Sequence, residues 1–134
     1  MAVIEGTERL KVAVAEYDFA VDGGAVGTIP LRGVGVLGGA VPANAVVHSG
    51  YIEVLTPLAS GGAATVAVSL ESAGDLVTSG LLSASGLNAG GRKNMNPNGQ
   101  GGATVKTSAS RAHSLTVGAF ALTAGKMRVY SFYV

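Results

Sequence analysis

The chain has 134 residues, a length typical of one domain and sufficient to bury a hydrophobic core. Hydrophobic residues make up 48% of it and charged residues only 13%, against about 25% charged residues in an average soluble domain, so we expect a partner to cover part of its surface. The net charge of +1 comes from charges scattered singly along the chain, and without a basic stripe we expect no nucleic acid partner.

β-Strands dominate the predicted secondary structure. Apolar and polar residues alternate in short runs rich in Val, Thr and Tyr, and Gly, Pro, Asn or Ser bounds each run. In residues 65–70 the large apolar side chains fall on one side, as in a sheet with one buried face. The last run has apolar side chains on both sides, which predicts a strand buried on both faces or buried in an oligomer. The predicted strands run from residue 11 to near residues 17 and 19, and over residues 28–31, 34–37, 46–55, 65–70, 76–77, 104–107, 114–117 and 126–134.

No stretch of the sequence predicts an amphipathic helix. Gly and Pro recur along most of the sequence, so we expect at most a turn or two of helix. Residues 79–102 are rich in Ser, Gly and Asn and predict a long loop, which either packs along a neighbouring subunit or is a flexible surface loop. We expect residues 1–9 to form an N-terminal arm and residues 10–134 a single β-sandwich domain.

The lack of helices limits the fold class. Short strands with no helix to cover a sheet can bury their apolar faces only against a second sheet or by closing into a barrel. We therefore predict an all-β, antiparallel β-sandwich with little or no helix. Among sandwiches we favour a jelly roll, while an immunoglobulin-like topology and a closed barrel remain open.

One segment matches a nucleotide-binding motif by spacing alone. Residues 33–38 read Gly-Val-Gly-Val-Leu-Gly, which fits GxGxxG, and Glu53 lies where such a site would bind the ribose. A dinucleotide site needs a helix that begins at the third glycine, and Gly39, Pro42 and Asn44 prevent one here. We interpret the segment as a glycine-rich strand and turn.

Residues suited to catalysis or metal binding are sparse. His48 and His113 have no second His or carboxylate at metal-ligand spacing, and we expect both at the surface or at a subunit interface. If they lie across a subunit contact, their protonation in mild acid would weaken assembly. We interpret Asp18 and Asp22 as a strand end and a turn, with Asp22 bound to local backbone amides rather than to calcium. No serine lies in GxSxG, and we predict no enzyme activity, no cofactor, no metal and no small-molecule substrate.

The sequence also lacks cysteines and membrane-spanning segments. Without Cys there are no disulfides, no thiolate zinc site and no cysteine nucleophile. Charged residues follow closely after Met1, and we expect no signal peptide. The longest apolar stretch, residues 33–47, is interrupted by Gly, Pro and Asn and is shorter than the ~20 residues of a transmembrane helix, so we expect no membrane partner.

Several segments resemble small structural proteins encoded among the head genes of tailed bacteriophages. They are YDFAVDGGAVGTIPL at residues 17–31, GYIEVLT at 50–56 with SGGAATV at 60–66, and LTAGKMRVYSFYV at 122–134. The resemblance runs from about Val14 to the C-terminus and leaves out residues 90–100. It consists of turn and strand patterns, without a catalytic signature.

The resemblance implies a virion protein made in the host bacterial cytoplasm, most directly a capsid decoration or cement protein. Such a protein is a jelly-roll homotrimer that binds the major capsid protein at local three-fold positions outside the shell and stabilises the shell against internal DNA pressure. For the capsid contact we predict the N-terminal arm, residues 2–8, and two cations in the long loop; for the trimer contact we predict the last strand. The capsid-contact candidates are Ala2, Val3, Ile4, Glu5, Arg92 and Lys93, and the trimer-interface candidates are Tyr130, Phe132 and Val134.

Three other functions remain open from the sequence. A tail, baseplate or head-fibre component of a phage virion would share the fold and the trimer, and its copy number would distinguish it from a decoration protein. A carbohydrate-binding β-sandwich module would usually present an aromatic platform, but this chain has no Trp. A polysaccharide hydrolase would need a carboxylate pair that the sequence does not show.

Overall fold

The computed structural model describes residues 10–34, 39–95, 97 and 104–134, which are built almost entirely of antiparallel β-strands. The helices among these residues, α1 (Phe19–Asp22) and α2 (Leu82–Ser85), have four residues each, and no helix there is long and apolar enough to span a membrane. The prediction of an all-β, antiparallel fold with little helix is confirmed. The strands are β1 (Lys11–Asp18), β2 (Gly27–Pro30), β3 (Arg32–Gly33), β4 (Ala40–Val41), β5 (Val46–Ser60), β6 (Thr65–Ser69), β7 (Val77–Leu81), β8 (Gly91–Asn94), β9 (Val105–Lys106), β10 (Arg111–Ala112), β11 (Ser114–Gly118) and β12 (Leu122–Tyr133).

The strands form two main sheets. The larger sheet has the order β3-β1-β12-β5-β8, with β9 also paired to β5, and the smaller sheet has the order β2-β11-β6-β7. β4 and β10 form a separate two-stranded ladder. The chain repeatedly crosses between the main sheets, from β1 to β2, from β5 to β6, from β7 to β8 and from β11 to β12. The inward faces of the sheets share one core, and the predicted β-sandwich is confirmed.

The core lies between the sheets because each strand turns one of its two faces inward. On β12, Met127, Val129 and Ser131 are fully buried and alternate with the half-buried Arg128 and Tyr130. The last strand therefore has one core face and one partly exposed face within this chain, rather than two buried faces. Burial of one Val, Leu or Ile side chain stabilises a fold by about 1.5–3 kcal/mol, so the facing sheets hold each other together. The largest buried apolar side chains of the core include Tyr17, Ile52, Leu58, Val66, Val68 and Leu115.

The predicted long loop at residues 79–102 contains regular structure. β7 extends to Leu81, α2 follows directly, and β8 adds a strand to the edge of the larger sheet. Buried Leu82 and Leu87 anchor the segment, and the Leu87 carbonyl accepts a hydrogen bond of 3.0 Å from the Leu58 amide. The prediction of a loop without secondary structure is therefore wrong for the described part of this segment. The sequence does not reveal β8 because this short edge strand has no apolar face.

Two predicted features lie wholly or partly outside the described residues. The N-terminal arm falls on residues 1–9, and most of the predicted strand at 34–37 falls on residues 35–38. The glycine motif at 33–38 shares that second gap, and the described elements on either side of it are strands β3 and β4. The capsid-contact candidates outside the described residues are Ala2, Val3, Ile4 and Glu5.

His113 links the two sheets by hydrogen bonds in the core. Its ring has no exposed surface; Nδ1 lies 2.8 Å from the carbonyl oxygen of Gly39, and Nε2 lies 2.7 Å from the hydroxyl oxygen of Ser131 on β12. A carbonyl oxygen can only accept, so Nδ1 carries the proton of the neutral ring and Nε2 accepts from Ser131. The prediction that His113 lies at the surface or at a subunit interface is therefore wrong, because the ring finds both its partners inside; His48 is exposed.

We predict that protonation of His113 destabilises the fold in mild acid. Burial lowers the pKa of His113, and the Gly39 carbonyl and the charge of Asp75 oppose this only in part. Because the folded-state pKa lies below the unfolded value of about 6.5, the stabilisation by the neutral ring is complete above that pH and is lost as the pH falls below it. The free energy of unfolding, measured by urea titration between about pH 5 and about pH 7.5, should fall with decreasing pH by up to about 1.4 kcal/mol per pH unit.

Two variants separate this effect from other titrations. In His113→Gln the side-chain amide can donate to Gly39 and accept from Ser131 without titrating, so the pH dependence should largely disappear. His48→Gln changes an exposed imidazole and should keep the wild-type profile. A wild-type slope that persists in His113→Gln would show that another group is responsible.

Candidate interaction surface

The side of the larger sheet that faces away from the core carries charged and aromatic side chains in rows across the strands. We call this surface the outer face. Register brings its side chains together, because opposite residues on neighbouring antiparallel strands have Cβ atoms about 4.5–5.5 Å apart. The outer face comprises Arg32 on β3, Glu16 on β1, Arg128, Tyr130 and Phe132 on β12, Tyr51 and Glu53 on β5, and Arg92 on β8.

Five charged side chains of alternating sign form one row across the outer face. Glu16 lies opposite Arg32 and Arg128, and Glu53 lies opposite Arg128 and Arg92. Glu16 Oε1 accepts a hydrogen bond of 3.0 Å from Arg128 Nε, and its other oxygen lies 3.5 Å from Arg32. Arg92 Nε lies 3.8 Å from Glu53. An exposed ion pair stabilises a fold by about 1 kcal/mol at most, so the row adds little to the stability of the fold.

Asp22 at the end of α1 holds Arg32 at one end of this row. Its two carboxylate oxygens accept hydrogen bonds of 3.0 and 3.2 Å from the Arg32 guanidinium, and one of them also accepts from the Asp18 amide at 2.9 Å. Burial raises the pKa of Asp22, but the hydrogen bonds and the charge of Arg32 outweigh burial and lower that pKa overall. The prediction that Asp22 binds a local backbone amide is confirmed. In the described part of the chain, no three His, Cys, Asp or Glu side chains are grouped to hold a metal ion.

Three aromatic side chains lie beside this row on the outer face, with Tyr51 and Tyr130 opposite each other and Phe132 one row further along β12. The rings of Tyr51 and Tyr130 stack with centroids 4.6 Å apart and an interplanar angle of 17°, and Phe132 lies 6.0 Å from Tyr51 at 44°. The guanidinium carbon of Arg92 lies 5.4 Å from the centroid of the Tyr51 ring. Because β12 and β8 flank β5, Tyr51 is enclosed between Tyr130 and Arg92 by aromatic stacking and a cation–π contact.

The outer face has the chemistry of a protein-binding surface. Aromatic residues and Arg are enriched in protein interfaces, where they supply much of the binding free energy. A glycan platform would need a free aromatic face, but Tyr130 and Arg92 cover the ring of Tyr51. The carboxylates of this face, Glu16 and Glu53, are both paired with arginines.

Three of the predicted site residues meet on the outer face. Arg92, a candidate for the capsid contact, lies there together with Tyr130 and Phe132, which are candidates for the trimer contact. Tyr51 contacts all three of these residues. The sequence does not single out Tyr51, because only the pairing of β5 with β12 shows which residue lies opposite Tyr130. The same register adds Glu53 to the site.

The other two described candidates lie elsewhere. Lys93 alternates to the opposite side of β8 from Arg92, and its side chain passes beside Gly86. The two cations therefore do not form one anchor. Val134 is 41% exposed after the end of β12, and its backbone pairs with that of Val46.

We predict a favourable coupling between Tyr51 and Tyr130. A double-mutant cycle with Tyr51→Ala and Tyr130→Ala, measured on the free energy of unfolding, should give a coupling of about 0.5–1.5 kcal/mol because the rings stack. In the control cycle, Tyr51→Ala is combined with Phe120→Ala, a distant exposed ring, and the two effects should add to within ~0.5 kcal/mol. Additivity in both cycles would contradict the stacking.

Comparison with known proteins identifies a shared fold. No family model matches the chain, and no curated protein matches it significantly. A solved structure described as "Cyanophage Pam1 capsid asymmetric unit" contains a similar chain, with a TM-score of 0.62 and 19% sequence identity. The likeness covers 99% of this chain and 90% of that chain. The protein therefore has the same fold as a chain of the cyanophage Pam1 capsid asymmetric unit.

Proposed function

We propose that this protein is a structural component of a tailed-bacteriophage capsid, and specifically a decoration protein that binds the outside of the major capsid shell. The observation that carries the proposal is the fold shared, over nearly the whole chain, with a chain of a phage capsid asymmetric unit. That chain is also similar in length, since the likeness covers 90% of it. The sequence resemblance to small phage head proteins supports the same assignment.

The strand order supports a jelly roll. Among the described residues, the eight strands of four or more residues have the orders β1-β12-β5-β8 and β2-β11-β6-β7, so the first and last of these strands are neighbours. Jelly rolls consist of eight strands in two sheets joined by Greek-key connections. An immunoglobulin-like sandwich has a different division of strands, and a closed barrel would have no sheet edges such as β2 and β7.

A decoration protein acts mechanically rather than chemically. Each bound copy adds interface that must be lost before neighbouring shell subunits separate, so binding to the closed shell stabilises it by mass action. A trimer at a local three-fold position makes three such contacts at once, and effective concentration makes the attachment stronger than any single contact. The partners in this proposal are the major capsid protein and two further copies of this chain.

We assign the shell contact to the outer face, which transfers Tyr130 and Phe132 from the predicted trimer contact to the shell contact. This face combines stacked aromatic rings with a row of charges, and the side chain of Arg92 at its edge is 74% exposed. The Arg92 guanidinium contacts the Tyr51 ring and lies 3.8 Å from Glu53, so part of its side-chain freedom is already lost before a partner binds. The contact then costs less side-chain entropy, which favours binding.

We predict that Arg92→Ala lowers occupancy on phage capsids and that Lys93→Ala does not. The two cations are adjacent on β8 but lie on opposite sides of it, so they form a matched pair for testing the outer face. Loss of an interface arginine should raise the dissociation constant about tenfold, which co-sedimentation with capsids lacking the protein can measure. Thermal unfolding verifies that both variants remain folded. Equal losses of capsid occupancy in the two variants would show that the outer face is not the shell contact.

Electron microscopy of purified particles tests the proposed function itself. Density for this chain at the three-fold and quasi-three-fold positions of the shell is the expected result, with a copy number from mass spectrometry that matches those positions. Density confined to the tail or portal end would overturn the decoration function and would favour a tail, baseplate or head-fibre component.

A further inference from the structure

One end of the sandwich exposes apolar side chains and has almost no charge. We call this end the tip, and it consists of residues 19–26, 61–64, 81–90 and 119–121, which lie at the connections between the two sheets. Large apolar side chains exposed at one end of a domain indicate an interaction surface. The large apolar side chains exposed here are Val21 (65%), Val26 (56%), Leu81 (48%) and Phe120 (48%).

Backbone hydrogen bonds join the segments of the tip into one surface. The Leu122 amide, directly after the turn at 119–121, donates to the Gly24 carbonyl at 2.7 Å. The Leu82 amide at the start of α2 donates to the Ala64 carbonyl at 2.9 Å. The tip is therefore held in a fixed arrangement rather than formed by independent loops.

The tip itself contains little charge, although the Asp18 carboxylate accepts a hydrogen bond from the Ala20 amide and the Lys93 side chain lies beside Gly86 at its border. Asp22 is the single ionisable residue of the tip, and the Asp22 side chain is only 10% exposed and is bound by Arg32. At the opposite end of the sandwich, hydrogen bonds from Arg111 and Ser108 hold the pKa of Glu71 at about 2. Two tips can therefore meet over their apolar parts without burying an unpaired ion of the tip residues themselves.

A strained turn holds the ring of Phe120 at the surface of the tip. Ala119 has a φ of +67°, and the Phe120 amide donates to the Gly118 carbonyl at 2.8 Å. This three-residue γ-turn with positive φ is rare and strained in non-glycine residues, and such strain concentrates at functional sites. The ring rests on Gly62, where a Cβ would lie 2.8 Å from the ring carbons. The turn and Gly62 together present the ring outward.

Beside Phe120 the tip contains a hollow of about 400 Å³ between the β5–β6 turn and α2. Leu58, Gly62, Leu81 and Ser83 contribute to its lining, which contains no charged side chain. A cavity of about 150 Å³ accommodates benzene, so the hollow is large enough for a phenyl ring. The tip thus offers both an exposed ring and an uncharged hollow that fits such a ring.

We propose that the tip is the surface through which copies of this chain associate, with Phe120 of one copy in the hollow of the next. This inference rests on the trimer of the proposed function and specifies its contact. The ring and the hollow lie side by side on the tip, so three copies arranged about an axis at their tips would each place their ring in the hollow of the next and close into a trimer. We take the partner to be a second copy of this chain, because each tip has both the projecting ring of Phe120 and a hollow that fits such a ring.

The oligomeric state of the free protein tests this contact. Phe120→Ser removes the ring and Ser83→Glu places a charge in the hollow; both side chains are exposed, so neither change empties the core. Each should raise the dissociation constant of the trimer about tenfold or more, as expected for loss of an interface anchor. Sedimentation velocity over a concentration series measures the association, and circular dichroism verifies the fold.

Leu10→Glu is the matched control. Leu10 is 59% exposed at the opposite end of the sandwich, where β1 begins and β12 ends, and the substitution should leave the trimer intact. A wild type that stays monomeric, or tip variants that stay trimeric, would overturn the inference. Capsid binding is not part of this measurement, so a trimer that depends on Phe120 but fails to bind phage capsids would retain the tip contact and refute the decoration function alone.

Discussion

The pairing of β5 with β12 determines both the core and the outer face. These long strands lie side by side in the larger sheet, where β12 also pairs with β1. Their register puts Met127 and Val129 on the core side and places Tyr130 opposite Tyr51 on the other side. A slip of one residue would turn the aromatic and charged rows into the core and expose the core residues. Gly50 permits this register, because the Cβ of any other residue at this position would collide with the backbone of Tyr130.

The few charged side chains of this protein lie largely in pairs of opposite sign. On the outer face the arginines and glutamates alternate across five strands, so this face is polar without carrying a strong field of one sign. The tip is the opposite case, since its one carboxylate is bound by Arg32 and its exposed side chains are apolar. The two surfaces therefore differ in physical character: salt screens contacts made by the outer face, whereas contacts made by the tip depend on apolar burial.

Period-two alternation predicts the strands that have one buried and one exposed face. Residues 65–70 and 114–117 correspond closely to β6 and β11 for that reason. β8 escapes prediction because its four residues have no buried face. His113 escapes because its partners, Gly39 and Ser131, are 74 and 18 residues away in sequence. The outer face is only partly predictable, because crowding on the last strand indicates Tyr130 and Phe132, whereas the residues opposite them depend on a register that periodicity does not give.

The two proposed contacts use different parts of the sandwich and do not compete. The outer face runs along the strands of the larger sheet, whereas the tip lies at the strand ends, where the four connections between β1 and β2, β5 and β6, β7 and β8, and β11 and β12 cross from sheet to sheet. Copies that meet through their tips leave their outer faces free for a shell. In the proposed function, a load between shell and neighbouring copies would pass along the paired strands β5 and β12 into turns that backbone hydrogen bonds hold. Loops without such hydrogen bonds would yield to that load, so anchored connections suit the proposed role.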